Sequence, residues 1–296
     1  HSCIEARRRL PNGREDTFIR YHECMHDTTD ECERLIATRH TTKAPIDDTI
    51  SMDMVSSSLF DNADCLINAA KSIISLDGKE RKRMIRNKEL KEVPLWVCNY
   101  QNSIIDAEHI DIGEFGELQG KDWIFRNPSL SFNESIEYIA HRKLEEQCGE
   151  GEYIVQPYDV SNGRRIPIEI NGTYQRSGIL DRRIQVINGL STTRLEWTRY
   201  VINSLKSIYA YDTSIKLVIL TRMNILHDIL EWYEHLFHTH MDDEDTRRIC
   251  DILSWNIYSM DSDHTGPIPV LSRWSNDDER FPIEDDITSY YFIMHE

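Results

Sequence analysis

One segment of the chain combines residue types and spacing that zinc peptidases use for catalysis. His22, Glu23 and His26 form the pattern H-E-x-x-H. On a helix, this spacing places two imidazoles on one face, one turn apart, with a carboxylate beside them. The imidazoles then bind Zn²⁺, and the carboxylate takes a proton from a metal-bound water. The pattern predicts a zinc hydrolase with His22 and His26 as ligands and Glu23 as general base.

A catalytic zinc site needs a third protein ligand, and Cys32 and His40 are the nearest candidates. Cys32 lies six residues after His26, where the metzincin family places its third histidine, so the spacing resembles that family. Thr29 stands at the position of that family's helix-breaking glycine. Two alternatives remain open. One is a polar surface helix that binds no metal. The other is a structural zinc site drawn from Cys3, His22, Cys24, His26 and Cys32.

A second group of histidines and carboxylates falls on one predicted helix. Its members are His227, Glu231, Glu234, His235, His238 and His240. The stretch 231–235 differs by one ligand from the inverted zinc motif H-x-x-E-H. The favoured interpretation is the polar face of an amphipathic helix, with sensitivity to pH as a further option.

A basic segment covers residues 79–91. If it is helical, Lys79, Lys82, Arg83 and Arg86 line one side. Such a patch can bind phosphate, RNA or an acidic partner, or act as an import signal, although a solvated helix face is the favoured interpretation. No aromatic residue is interleaved between residues 79 and 91, so the segment offers no base stacking.

The centre of the chain resembles the ATP-grasp ligases. Residues 122–128 and 153–158 are similar to the two nucleotide-binding strands of that family, and Glu169-Ile170-Asn171 is similar to its metal-binding E-x-N. Arg126 stands where the family has a phosphate-binding lysine. The resemblance covers about 50 residues. It implies an ATP-dependent ligase.

Apolar periodicity predicts the elements that must position these residues. Helices are expected at about 15–39, 59–76, 134–147, 195–208, 215–237 and 245–257. Strands are expected at 96–100, 123–125, 153–155, 166–170 and 183–187, with a hairpin turn at Asn162-Gly163 and a loop-like tail after Gly266. The fold class is therefore α+β: a mixed N-terminal and central region with a small sheet, followed by a helical C-terminal region. The predicted division is 1–191 and 192–296, with one continuous domain as the alternative.

Charge limits the partners of the C-terminal half. The 296 residues carry a formal net charge of −17, and residues 201–296 contain 7 Lys and Arg against 18 Asp and Glu. Such a surface repels phosphate backbones and anionic membranes, so duplex DNA is not expected to bind this half. No run of 18 apolar residues occurs, so no membrane span is expected.

The seven cysteines are odd in number and form no tight framework, which favours a reduced, intracellular protein. Two glycosylation sequons, at Asn133 and Asn171, keep secretion open as an alternative. The sequence has no P-loop, no G-x-G-x-x-G and no G-x-S-x-G. We therefore expect an acidic structural or protein-interaction component, self-association included. The zinc hydrolase and the ATP-grasp-like ligase are the alternatives, and zinc is the one cofactor considered.

Overall fold

The structure is a computed structural model that describes residues 2–9, 15–22, 78–87, 93–109, 116–119, 122–125, 130–259, 270–274 and 282–289. The helices in these ranges are α1 Gly78–Arg86, α2 Leu95–His109, α3 Phe132–Ala140, α4 Ile179–Leu190, α5 Arg194–Leu205, α6 Ile215–Phe237 and α7 Asp243–Asn256. The strands are β1 Ser2–Arg9, β2 Glu15–His22, β3 Gly116–Gln119, β4 Asp122–Phe125, β5 Lys143–Glu146, β6 Tyr158–Asp159, β7 Arg164–Arg165, β8 Glu169–Ile170, β9 Thr173–Tyr174, β10 Ile208–Asp212, β11 Ile257–Ser259, β12 Val270–Trp274 and β13 Pro282–Ser289.

The α+β class predicted from the sequence is confirmed, because helices surround small sheets. The central sheet has three parallel strands in the order β11-β10-β5, and the other described strands form two-stranded antiparallel pairs. Helices α4 and α5 connect β5 to β10, and α6 and α7 connect β10 to β11. Parallel strands require such crossovers. All five residues of β10 are buried, as expected for a central strand covered on both faces.

One hydrophobic cluster holds these layers together, and its members run in sequence from Tyr138 to Ile257. Trp197 of α5 is buried and packs edge-on against Tyr233 and Phe237 of α6, with ring centroids 5.6 and 5.8 Å apart. Burying one large apolar side chain contributes about 1.5–3 kcal/mol. The cluster contains residues on both sides of the predicted division at 191/192, and that division stays a prediction.

Two fully buried arginines donate hydrogen bonds to carbonyl oxygens at the C-terminal ends of helices. Arg183 donates to the carbonyl oxygens of Ile139 and His141, where α3 ends. Arg222 donates to Ile257 O at the end of α7, with an Nε–O distance of 2.8 Å. The last carbonyls of a helix have no partner within the helix, so these guanidinium groups satisfy buried acceptors.

Several predicted elements agree with the structure. The helix expected at 215–237 is α6, and those expected near 195–208 and 245–257 correspond to α5 and α7, although residue 208 opens β10. The strand at 123–125 lies within β4, and the Asn162-Gly163 turn connects β6 to β7. The helix expected at 59–76 lies outside the described residues.

Other predictions were wrong, mostly where an apolar run was short. Residues 96–100 and 183–187, expected as strands, lie within α2 and α4. A short apolar run fits a buried strand and a buried helix equally well, and tertiary contacts decide between them. The helix expected at 134–147 ends at Ala140 and gives way to β5. The tail after residue 266 contains β12 and β13. Among the described residues, no helix is long and apolar enough to cross a membrane.

Candidate functional site

The H-E-x-x-H segment begins in a strand. His22 is the last residue of β2 and pairs with Ser2 of β1, so the helix expected from residue 15 is wrong up to residue 22. Glu23, His26 and Cys32 lie outside the described residues. The zinc hypothesis, with Glu23 as base and His22, His26 and Cys32 as ligands, therefore stays a prediction.

The basic segment is helical from Gly78 to Arg86. Lys79, Lys82, Arg83 and Arg86 are all exposed on α1. Met84 and Ile85 on the same helix pack against the hydrophobic cluster. The basic side chains thus stand outward because the apolar pair anchors the helix. What they bind stays a prediction.

Side chains of α6, including members of the second histidine group, form hydrogen bonds and ion pairs with residues of two hairpins. Arg176, which follows β9, donates to Asp228 Oδ1 at 2.7 Å and to Glu231 Oε2 at 2.8 Å. Arg165 of β7 also pairs with Glu231, and His235 Nε2 lies 3.5 Å from a carboxylate oxygen of β8. These contacts border an open groove of about 500 Å³. Among the described residues, no group of three or more His, Cys, Asp or Glu is arranged to hold a metal.

Two buried carboxyl groups lie beneath this groove. Asp181 accepts hydrogen bonds from the backbone amides of Gln156 and Gly178 and from Trp232 Nε1. Burial raises the pKa of Asp181, and burial together with the nearby Asp181 raises the pKa of Asp228 well above its ordinary value. Since the three donors favour charge on Asp181, we assign the proton to Asp228 Oδ2, which otherwise has no hydrogen-bond partner.

α/β proteins often bind ligands at the carboxyl end of a parallel sheet. In this chain, the backbone amides at that end donate hydrogen bonds within the protein. Residues 148–151 follow β5, with positive φ at Gly149 and Gly151. Their four amides donate, in order, to Tyr211 O, Asp212 Oδ2, Glu152 Oε2 and Cys148 O. Phosphate binding requires free amides, and these four are used internally.

The features that carried the ATP-grasp resemblance are partly turns. Residues 153 and 154 lie in a turn and residue 155 is irregular, so the strand expected at 153–155 is wrong. Glu169 and Ile170 form the short β8, and Asn171 occupies the tight turn that follows, with φ 50°. The ligase activity stays a prediction.

Burial makes two of the cysteines poor nucleophiles. Cys98, Cys148 and Cys250 are buried and form no disulfide. Burial raises the pKa of the Cys98 and Cys148 thiols, so both are protonated and unreactive near neutral pH.

Helix α2 buries a polar face. Asp106 is 2% exposed and accepts from Arg182 Nη1 of α4 at 2.9 Å. Arg182 also donates to Asn99 O and to Ser103 Oγ. Asn102 Nδ2 donates to a carbonyl oxygen of the chain after β5 at 2.9 Å. Because helical residues three and four apart share a face, these side chains form one polar stripe directed inward.

A second side of α2 carries exposed apolar residues. Trp96, Tyr100 and Ile104 recur every four residues and are 36%, 52% and 41% exposed. We call these three residues the apolar stripe. Scattered single apolar residues on a surface are ordinary, but three in one helical row form a contiguous patch. Trp and Tyr are also the residues most enriched at the centres of protein interfaces.

The sequence interpretation missed the stripe because residues 96–100 were expected to form a strand. The four-residue spacing of Trp96, Tyr100 and Ile104, with Asn99 and Asp106 out of phase, was the signal that could have revealed it. Comparison of the chain with protein-family models, with curated proteins and with solved structures finds no match.

Proposed function

We propose that the protein is a structural, protein-interaction component that self-associates, and that two copies meet through the apolar stripe of α2. The inverted orientation of this helix carries the proposal, since its polar side faces the core and its apolar side faces solvent.

The buried polar contacts hold α2 in this orientation. Turning the apolar stripe inward would break the Asp106–Arg182 ion pair and leave two charged groups buried without partners. Breaking a buried pair by removing one partner costs about 3–5 kcal/mol. Burying the three apolar side chains, which are already partly covered, returns less than their full transfer free energy. The stripe therefore remains exposed in the isolated chain.

A second copy fits this surface because the stripe is uncharged. Residues 95–105, which contain the stripe, include no charged side chain, although Glu108 is the next position of the same row, and the chain as a whole carries −17. Two copies repel each other over most of their surface, and a neutral face is where they approach at least electrostatic cost.

The spacing of the stripe also suits a two-fold pair. In an antiparallel pairing centred on Tyr100, Trp96 of each copy faces Ile104 of the other, so a large side chain meets a smaller one. Such an isologous contact closes on itself and gives a dimer. The exposed part of the three side chains is on the order of 300 Å², below the roughly 800 Å² per partner of a stable interface. We therefore expect a weak dimer that depends on concentration.

Sedimentation velocity over a range of protein concentrations tests the proposal. The wild-type chain should shift from monomer to dimer as concentration rises, and the double variant Trp96→Ser/Tyr100→Ser should weaken the dimer by about tenfold or more. Leu195→Ser is the matched control, because Leu195 is a single exposed apolar residue on α5. The control should dimerise like the wild type. A monomer at every concentration would overturn the proposal.

Salt separates this contact from an electrostatic one. A dimer through the apolar stripe should persist at about 0.5 M salt, where exposed charges are screened. A dimer held by the basic face of α1 and the acidic half of another copy should dissociate there. Loss of the dimer at high salt would contradict the stripe as the contact.

The Tyr100→Cys variant tests the pairing geometry. An antiparallel contact centred on residue 100 should give an intermolecular disulfide under mild oxidation, and Leu195→Cys should not. Equal cross-linking of the two variants would contradict this arrangement.

We propose that the protein works in a reducing, intracellular compartment and that duplex DNA is not among its partners. The absence of a disulfide at Cys98, Cys148 and Cys250, together with the acidic C-terminal half, supports this setting.

A further inference from the structure

The chain contains four Asn-Gly pairs, which begin at Asn12, Asn162, Asn171 and Asn188. In such a pair, the glycine amide nitrogen can attack the asparagine side-chain carbonyl, because glycine has no side chain to hinder the approach. The first pair lies outside the described residues. The other three pairs differ in how many hydrogen bonds hold the asparagine side chain and the glycine amide.

Asn162 and Asn188 are both held by hydrogen bonds. Asn162 Oδ1 accepts from Arg164 N at 2.8 Å, its amide group donates to Asp159, and Gly163 N donates to Asp159 O at 2.7 Å. Asn188 lies within α4, and its Oδ1 accepts from Trp197 Nε1 at 2.8 Å. In each case, bringing the two reacting atoms together requires breaking contacts made by the side chain and the backbone.

Asn171 has no such contacts. It is exposed, and together with Gly172 it forms the two-residue turn between β8 and β9, with φ of 50° and 79°. Within the described structure, neither the Asn171 side chain nor the Gly172 amide has a hydrogen-bond partner, and the space around Gly172 is open. The flanking strands have two residues each. Opening this hairpin enough to reach a reactive backbone geometry therefore costs little free energy.

We propose that Asn171 is a site of spontaneous deamidation. The Gly172 amide nitrogen forms a bond to Cγ of Asn171 and gives up its proton to solvent. The Cγ–Nδ2 bond breaks, and Nδ2 leaves as ammonia. Water then opens the resulting five-membered imide at either carbonyl, which yields Asp or isoaspartate at position 171.

The product changes the rim of the groove. A carboxylate appears two residues from Glu169, which itself lies 3.5 Å from His235. Isoaspartate also adds one backbone carbon to a two-residue turn, so the Ile170–Thr173 pairing of β8 and β9 cannot keep its register.

Peptide mapping by mass spectrometry after incubation at mildly alkaline pH tests the proposal. In the folded protein, Asn171 should convert about tenfold faster than Asn162 and Asn188, because only those two are protected by structure. In concentrated urea, the three rates should converge, since all three have glycine as the next residue. Equal rates in the folded protein, or protection of Asn171 relative to urea as strong as that of Asn162, would overturn it.

Two variants provide an independent measurement of released ammonia. Asn171→Gln should lower the release by the share that peptide mapping assigns to Asn171, because glutamine would have to form a less favourable six-membered ring. The matched variant Asn162→Gln should leave the release unchanged. An Asn171→Gln protein whose peptide at position 162 or 188 still accounts for most conversion would contradict the assignment.

Discussion

Asp228 and Asp181 lie buried together beneath the groove, with Arg176 as the neighbouring cation. Two carboxyl groups in one site cannot both ionise at low cost, so one proton becomes part of the folded structure. Neither residue was singled out in the sequence, because Asp228 is one polar position of the predicted helix at 215–237 and Asp181 lies just before a segment that was expected to form a strand. Only packing brings them into contact.

We predict that Asp228→Asn flattens the pH dependence of stability. The folded-state pKa of Asp228 is raised, so its contribution to stability is fully present below the unfolded value of about 3.9 and is lost as pH rises through the folded value. Over that window the free energy of unfolding should fall with a slope of up to about 1.4 kcal/mol per pH unit. Asparagine keeps an oxygen for Arg176 and an N–H donor for Asp181, and it has no proton to lose.

Urea unfolding at a series of pH values measures this effect as the difference between variant and wild type. The free energy of unfolding of Asp228→Asn, relative to that of the wild type, should increase as pH rises. Asp243→Asn, at an exposed position in the first turn of α7, is the control and should show no such trend. An identical pH profile for Asp228→Asn and wild type would rule out the shared proton.

At the scale of elements, close backbone contacts decide where helices can sit. Gly178 precedes α4, and a Cβ atom there would lie 2.5 Å from Ile154 O and 2.7 Å from Val155 N. The start of α4 therefore packs directly on the backbone of the preceding turn. The sequence shows only a Ser-Gly before an apolar run, which predicts a boundary and gives no hint of this approach.

We predict that Gly178→Ala destabilises the protein by about 1–3 kcal/mol, because the backbone of residues 154 and 155 must move to admit the methyl group. Gly189→Ala is the matched substitution within α4, where an added Cβ meets nothing within 4 Å. It should stabilise by about 0.5–1 kcal/mol through helix propensity. Chemical denaturation of both variants provides the measurement. Equal effects would contradict the tight contact at residue 178.

At the scale of the whole molecule, the hydrophobic cluster joins segments that the charge pattern separated. Tyr138, Ile154 and Ile184 belong to the same cluster as Val218 and Leu253. Within the described residues, buried side chains from both sides of the predicted division at 191/192 belong to this one cluster. Charge composition governs solubility and partners, and it carries little information about which apolar residues pack together.

We predict that residues 130–259 unfold as one cooperative unit. Native-state hydrogen exchange should give similar opening free energies for core amides of α4 and α6, because loss of either element removes part of the same cluster. A fragment that begins at residue 192 should not show the near-ultraviolet dichroism of the intact chain. Two well-separated unfolding transitions, or a folded 192–296 fragment, would instead support two domains.

The sequence alone determined the α+β class, the long helix α6, the hairpin at Asn162-Gly163 and the charge layout, because periodicity, turn residues and charges are local properties. The tertiary structure decided the rest. The short apolar runs at 96–100 and 183–187 lie in helices α2 and α4, which the buried Asp106–Arg182 pair joins. The apolar stripe faces solvent because the buried Asp106–Arg182 ion pair directs the polar side of α2 inward. Whether His22, Glu23 and His26 bind zinc stays a prediction from spacing.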